Sequence, residues 1–384
     1  MEKVLNKELC CGCSACFNAC PTGAIEIIED GEGFNYPKIN QEKCINCGLC
    51  KKMCPVLNSN NKKLNYNNRK AYASYNKNIK ERMESSSGGI FACLAKKIIE
   101  KNGLVVGAVI NNENLVEHTI IDNIDNIKEL CGSKYLESNI NKIYQTVKDN
   151  LDKDKKVLFT GTPCQISGLK KYLRKDYNNL YTQDIICHGV PSKKVWRKYL
   201  NYIANSKKIN KIKFRDKKYG WKDFSMRIDM PIRKYNMSHN DDAYMQLFLS
   251  NICLRPSCYN CQFKDGKIFS DITLGDFWGI ENFEKEMDDN RGVSLLIINN
   301  EKGYELLEEI KEQIILKEVD LEKIIPYNSA IRESVSNNPK RNEFFKDLDS
   351  INFKNIINKY GIIKNPIKLR YEYFKKVVKK CLRK

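Results

Sequence analysis

Two cysteine runs of the same form stand near the start of this 384-residue chain. "CCGCSACFNACP" places Cys10, Cys13, Cys16 and Cys20 ahead of Pro21, and "CINCGLCKKMCP" places Cys44, Cys47, Cys50 and Cys54 ahead of Pro55. C-x2-C-x2-C-x3-C-P is the run by which paired 4Fe-4S clusters are held. Its first three thiolates wrap one cubane and the fourth reaches across to the other. The expected sets are therefore Cys10, Cys13, Cys16 and Cys54 on one cluster, and Cys44, Cys47, Cys50 and Cys20 on the second. Gly12 and Gly48 let the backbone bend close to the sulfides. "TGAIEI" supplies a short strand between the halves, and Cys11, out of register, is spare. A zinc module takes four ligands in two pairs, which two four-cysteine runs ending in proline do not offer.

Seventeen cysteines suit a disulfide scaffold only in a short secreted chain. This chain is long, and its start, "MEKVLNKELC", is polar with no apolar leader. The longest apolar runs, "GLVVGAVI" and "VSLLII", are of strand length, well short of the roughly 20 residues of a spanning helix. A cytoplasmic protein with reduced thiols and no transmembrane segment is expected. The formal net charge of +19 invites a nucleic-acid partner. Lys and Arg are nevertheless spread evenly among Asn residues, and each ligated cluster adds roughly two negative charges that the formal count omits. An acidic protein partner such as ferredoxin fits this balance better.

The expected fold class is α+β. A small two-cluster ferredoxin-like domain (1–57) and a polar Asn-rich linker (58–70) precede a larger α/β domain (71–325), and a helical basic C-terminal region (326–384) closes the chain. "GGIFACLAKKIIEKNG" carries a helical stripe at Ile90, Phe91, Leu94, Ala95, Ile98 and Ile99, closed by Gly103. "KVLFTGTPCQISGLKKYL" reads as strand, tight turn and helix. "NLYTQDIICHGVPS" reads as a strand running into a loop, a pattern with some parallel character.

In the same region "SSSGGIFACLA", "CGSKYLES", "KVLFTGTPCQISGLKKYL", "DIICHGVPSKKVWRKYL", "IKFRDKKYGWKDFSMRI", "LRPSCYNCQFK" and "SDITLGDFWGIE" follow one another. Together they resemble the beta subunit of coenzyme F(420) hydrogenase and dehydrogenase, over roughly residues 5–300. The resemblance implies a flavoprotein with FAD and a 4Fe-4S cluster, moving electrons between iron–sulfur centres and a two-electron carrier. Some relatives take electrons from ferredoxin, and others sit in polysaccharide gene clusters. Cys164, Cys187, Cys258 and Cys261 are the four cysteines inside these motifs, so they are the expected ligands of a third 4Fe-4S cluster. The alternative is that Cys164 and Cys187 are buried small hydrophobes. Cys93, Cys131, Cys253 and Cys381 lack ligand-like spacing and read as packing or surface residues. Cys131 also stands where family members commonly carry a basic residue.

"SSSGG" and "GTPCQ" each open a helix and offer hydroxyls and free N–H groups to an anion, although serine before a helix is also a plain N-cap. With the resemblance, Ser85, Ser86, Ser87, Gly88, Gly89, Gly161 and Thr162 are expected to hold the FAD pyrophosphate and ring. Gly132, Ser133 and Lys134 form a second candidate loop, with Lys134 beside flavin N1. No G-x-G-x-x-G stretch is present, which speaks against the usual NAD mode. "KFRDKKYGW" gathers Lys213, Arg215, Lys217, Lys218 and Trp221. It is either a recognition site for an acidic substrate, with Trp221 as stacking surface, or a solvated basic turn. His188 is a candidate proton donor or a hydrogen-bond donor beside Cys187, and Asp276 reads as structural. The expected function is an iron–sulfur flavoprotein oxidoreductase that passes electrons between ferredoxin-type clusters and FAD, and hydride to or from a deazaflavin or an organic substrate. The alternatives are a non-catalytic electron-transfer subunit of a hydrogenase or dehydrogenase, and a redox accessory protein for polysaccharide modification.

Overall fold

The computed structural model describes residues 4–58, 69–264, 267 and 269–360. Strands β1 (Ile25–Glu29) and β2 (Asn35–Ile39) form an antiparallel hairpin with Ile25 opposite Ile39. Beside it lie two short helices, Ala15–Ala19 and Leu49–Lys52, each just after the second thiol of its cysteine run. The two halves repeat in backbone as well as in sequence. Gly12 (φ 72) and Ser14 (φ 60) in the first correspond to Asn46 (φ 54) and Gly48 (φ 71) in the second. Left-handed residues at both places turn the chain around the thiols. Glycine meets that demand once in each half, and a short polar residue meets it at the other place.

The remaining strands are β3 (Lys70–Asn76), β4 (Leu104–Ile110), β5 (Val116–Ile121), β6 (Ser138–Asn139), β7 (Val157–Gly161), β8 (Leu180–Ile185), β9 (Lys211–Asp216), β10 (Ser225–Asp229), β11 (Lys234–Ser238), β12 (Ile272–Asp276), β13 (Ser294–Ile298) and β14 (Ile314–Val319). Nine of them make one mixed sheet in the order β14-β3-β13-β12-β8-β7-β4-β5-β6, and β9, β10 and β11 make a separate antiparallel sheet. The run β4-β7-β8-β12 is parallel. Its flanks are antiparallel through β13, β3 and β5. β13 is buried at every position, as a central strand covered on both faces must be.

β7 runs into the helix Pro163–Leu173 and β8 into a loop. The helix Ile90–Glu100 closes with Asn102 in the left-handed region (φ 56), while Gly103 donates its N–H to the Ile98 carbonyl at 2.9 Å. Because β7, β8 and β12 run in the same direction, their ends at Gly161, Ile185 and Asp276 meet on one edge, where open α/β sheets place their sites.

The cysteine-rich unit is packed into the rest of the chain. Cys13 and Ala15 share an apolar group with Val106, Tyr144, Phe159 and Leu169. The approach is close: a Cβ at Gly168 would lie 2.9 Å from that of Cys13. Phe34 is buried with Trp196 and Phe344, and Arg341 Nη1 donates to Glu32 Oε1 at 3.0 Å. The helices Arg341–Ser350 and Phe353–Lys359 send Phe344, Leu348, Phe353 and Ile356 into the same apolar group. Most of the expected linker (59–68), the end of the C-terminal region (361–384) and Cys381 lie outside the described residues. Among the described residues no helix is long and apolar enough to cross a membrane.

Candidate functional site

The thiols fall into three groups. Cys16 has Cys10, Cys54 and Cys50 as its thiol neighbours, and Cys13 has Cys16 and Cys54. Burial pushes the Cys16 thiol up, and its neighbours add to the shift. Cys50 faces Cys44 and Cys47, and Cys20, Cys44 and Cys50 pack together against Val4, Ile25 and Ile39. The third group is drawn from distant segments: Cys164 opens the helix after β7, Cys187 follows β8, and Cys258 and Cys261 flank a 3-10 turn, Pro256–Asn260. Cys258 has Cys187, Cys261 and Cys164 as neighbours, and all four line one cavity of about 40 Å³. Desolvation pushes the Cys187 thiol up to about 12.

Burial pushes up the thiols of Cys16 in the first group and of Cys187, Cys258 and Cys261 in the third, and a bound metal would hold them as thiolates. Among the described residues no three His, Cys, Asp or Glu converge on a single ion. Four thiols per group is the donor number that a 4Fe-4S cubane takes.

A second cavity, of about 320 Å³, adjoins the third group and shares Cys164, Thr162 and Val190 with it. Ser85, Ser86, Ser87, Gly89, Gly132, Ser133, Lys134, Gly161 and Thr162 all line it. Gly88 does not. It is wedged in the backbone, where a Cβ would lie 2.4 Å from the Ser74 carbonyl oxygen and 2.8 Å from the Ser294 amide. The two candidate loops are tied together, since the Ser133 hydroxyl donates to Ser86 Oγ at 2.8 Å. Ser85 and Ser87 donate to the carbonyls of Glu81 and Val293, both within 2.8 Å. From behind, Lys217 Nζ donates to the carbonyls of Arg82, Ser87 and Arg291 within 2.8 Å. Lys134 Nζ donates to the carbonyls of Leu130, Cys131 and Gly132, and desolvation pushes it down to about 8. Cys131 is on this cavity wall. Cys93 and Cys253 are buried in apolar groups away from it.

The basic stretch divides. Arg215 lines the cavity and is 7% exposed. It donates through Nη1 to Asp276 Oδ2 and has Tyr135 as a neighbour, and among the described residues its Nε and Nη2 lack a hydrogen-bond partner. A buried guanidinium with two idle donors is a place where a ligand's acceptors fit. Lys213 is off the wall, its Nζ 2.7 Å from Glu84 Oε2. Trp221 is fully buried, stacked on Trp278 at 5.0 Å, with Nε1 donating to Asp276 Oδ1 at 2.9 Å. In that position it steadies Asp276 and offers no face to a substrate. His188 lines the cavity of the third thiol group and not the large one. Its Nε2 donates to Asn251 Oδ1 at 2.7 Å, which fits a hydrogen-bonding neighbour of Cys187 better than a proton donor to a ligand in the large cavity.

Four further wall residues are not among the candidates: His118, Tyr135, Glu137 and Gln183, of which Tyr135 and Glu137 lie within "CGSKYLES". His118 on β5 is held at both nitrogens. Nε2 donates to the Thr160 carbonyl at 2.9 Å, so Nδ1 accepts from the Ser138 hydroxyl at 2.7 Å. Desolvation pushes its pKa from 6.5 down to about 4. The unfolded imidazole takes up a proton near 6.5 and the folded one does not until about 4, so stability present above pH 6.5 is lost as pH falls through that window. Full development amounts to roughly 3 kcal/mol. Denaturation of wild type and His118→Gln between pH 7 and pH 4 is expected to show the flatter pH slope in the variant.

These thiol sets define a class, the iron–sulfur electron-transfer proteins. Residues 9–58 and 40–97 each match a 4Fe-4S dicluster domain. Residues 154–324 match the family described as the C terminus of the coenzyme F(420) hydrogenase/dehydrogenase beta subunit. The chain is 25% identical over 333 residues to the coenzyme F(420)-dependent sulfite reductase of Methanocaldococcus jannaschii, covering 84% of this chain and 49% of that protein. It therefore spans about half the length of that curated relative. Among solved structures, a chain of the F(420)-reducing nickel–iron hydrogenase complex from Methanosarcina barkeri aligns at TM-score 0.48 and 16% identity, over 77% of this chain and 96% of that one.

Proposed function

We propose that this chain is an iron–sulfur flavoprotein oxidoreductase that links single-electron carriers to a hydride acceptor or donor, either a deazaflavin coenzyme or an organic substrate. The observation that carries this reading is the meeting of Cys164, Cys187, Cys258 and Cys261 in one cavity that shares a wall with the 320 Å³ cavity. When bound, the clusters relay single electrons and FAD exchanges two of them for a hydride. The three thiol quartets hold the clusters. The loop Ser85–Gly89 and the turn Gly161–Thr162 present the N-termini of the helices Ile90–Glu100 and Pro163–Leu173 to the FAD pyrophosphate. Lys134 on the cavity wall would face the flavin ring, and Arg215 on the same wall would bind an acidic group of the substrate.

Anaerobically purified protein is expected to hold about twelve iron atoms, four per cubane, and one flavin. Reduced ferredoxin is expected to bleach that flavin. Replacing Cys10, Cys13, Cys16, Cys20, Cys44, Cys47, Cys50 and Cys54 by serine stops the bleaching. Unchanged bleaching in that variant would refute the route.

The outer end of the relay supports an acidic carrier as partner. Cys47 is exposed, Ile45 and Leu57 are 64% and 48% exposed beside it, and Lys43, Lys51 and Lys52 are exposed without an ion pair among the described residues. Exchanging these three lysines for glutamate is expected to slow association with an acidic carrier by about 10-fold at low salt, with the difference vanishing as salt is raised. Stopped-flow mixing across a salt series measures this. A second reading, an electron-transfer subunit of a larger complex, is favoured by the half-length match to the sulfite reductase. Activity that appears only with a co-purifying protein would decide for it.

A further inference from the structure

Where the first and third thiol groups approach each other, two residues outside both quartets stand between them. Cys11 is the single residue that lines all three cavities: the one beside Cys10, Cys13, Cys16 and Cys54, the large one, and the one holding Cys164, Cys187, Cys258 and Cys261. Its thiol has the thiols of Cys13 and Cys164 as neighbours, one from each quartet.

Arg255 is the second. It is 1% exposed, and each arm of its guanidinium holds a different segment. Nε donates to the Cys10 carbonyl at 2.8 Å, Nη1 to Glu137 Oε1 at 2.7 Å and Nη2 to the Asn35 carbonyl at 2.7 Å. Its own carbonyl accepts the Cys258 N–H at 2.9 Å, and its N–H donates to the Val190 carbonyl at 2.9 Å. One residue thus clamps the loop of the first ligand run with its side chain and the turn of Cys258 with its backbone. Gly12 makes the fit possible, since a Cβ there would lie 2.7 Å from Arg255 Nη1.

We propose that Cys11 and Arg255 form the junction across which the first thiol site and the Cys164 site exchange an electron. The inference rests on the function proposed above. Arg255 sets the separation and mutual orientation of the two sites. Cys11 lies between their ligand sulfurs, where its S–H would donate to one of them once a cluster is bound, and hydrogen bonds to ligand sulfur are among the levers on cluster potential. In the step itself one electron leaves the reduced site at Cys10, Cys13, Cys16 and Cys54 and reduces the site at Cys164. No bond forms or breaks, and the electron is supplied by a reduced one-electron carrier.

The test uses the full chain with its iron and flavin, prepared anaerobically, as wild type, Cys11→Ala, Cys11→Ser and Arg255→Lys. Iron and flavin are counted first. Electron paramagnetic resonance then reads the interaction between reduced clusters, and stopped-flow mixing with reduced ferredoxin separates cluster reduction from flavin reduction. Cys11→Ala is expected to keep wild-type iron and flavin, to reduce its N-terminal clusters at the wild-type rate, and to slow the flavin phase at least 10-fold with an altered resonance spectrum. Cys11→Ser, which retains a donor, is expected to recover to within 3-fold. Arg255→Lys is expected to slow the same phase and to change the intercluster interaction.

A fully loaded Cys11→Ala with wild-type flavin reduction and an unchanged spectrum overturns the proposal. So does loss of the iron at Cys164 in that variant, which would make Cys11 a ligand. Failure of the underlying function shows separately, in wild type itself, as a missing third set of iron or a missing flavin.

Discussion

Cys258→Ala is expected to strip about four of about twelve iron atoms from the protein, the content of one cubane. Flavin reduction by a one-electron carrier should fall by on the order of 100-fold, since even an outer neighbour of a metal site is worth 10- to 100-fold. The N-terminal clusters remain, because Cys258 touches neither of their quartets and faces Cys187, Cys261 and Cys164. Flavin should also remain, since Cys258 is absent from the wall of the 320 Å³ cavity. The control is Cys253→Ala. It lies five positions away in sequence, is fully buried and sits among apolar side chains with no thiol group around it. Its iron content and flavin reduction should match wild type, with only a modest loss of stability. Iron analysis, the visible spectrum and stopped-flow traces of the two variants side by side decide the matter. If Cys258→Ala kept all its iron, Cys258 would be no ligand.

Trp221→Ala has the second large effect, and it falls on stability. The indole is fully buried, nearly coplanar with Trp278 at an interplanar angle of 3°, and hydrogen-bonded to Asp276. Removing it leaves a cavity and an acceptor of Asp276 unpaired, a loss of about 3–5 kcal/mol. In a chain of this size that lowers the apparent Tm by roughly 4–6 °C. Trp221→Phe keeps the stacking and loses the N–H, so it is expected to fall between the two. Thermal melts by circular dichroism, with flavin release followed in parallel, read the result. A Trp221→Ala protein with wild-type Tm and a raised KM would instead make Trp221 a substrate-stacking surface.

The two residues of the basic stretch that matter show why a motif alone was not enough. "KFRDKKYGW" presents its cations and its indole as neighbours. The pairing of β9 with β10 shifts register between Lys213 and Asp216, which interrupts the alternation of faces there, so Arg215 reaches the cavity while Lys213 turns to Glu84. Trp221 lies beyond that strand, and the inner or outer placement of a turn residue depends on what the turn packs against, here Trp278. His188 beside Cys187 illustrates the same limit. Chain proximity to a candidate ligand says nothing of which side of β8 faces the large cavity.

Arg255 and Glu137 lie within "LRPSCYNCQFK" and "CGSKYLES", and His118 in no motif, yet nothing local singles out any of the three. Each is a single polar residue whose partners lie far along the chain, as Arg255 and Glu137 do at 118 positions apart. No spacing rule marks such pairs. Cys11 is out of register with its own run, and only the approach of Cys164 from the end of β7 gives it a second neighbour.

The ligand runs at Cys10–Cys20 and Cys44–Cys54 could be read from the chain alone. A cubane is small, and thiols two or three residues apart reach it from one bent loop, so the chemistry is written in local spacing. The strand–turn–helix at Val157–Leu173 was readable for the same reason, because periodicity and turn residues act over one element. The meeting of Cys164, Cys187 and the Cys258 turn, the idle guanidinium of Arg215 and the clamp of Arg255 exist only once parallel strands bring their ends to one edge. They are contacts between segments that share no local pattern, and what creates them is the burial of the sheet and the pairing of charges inside it.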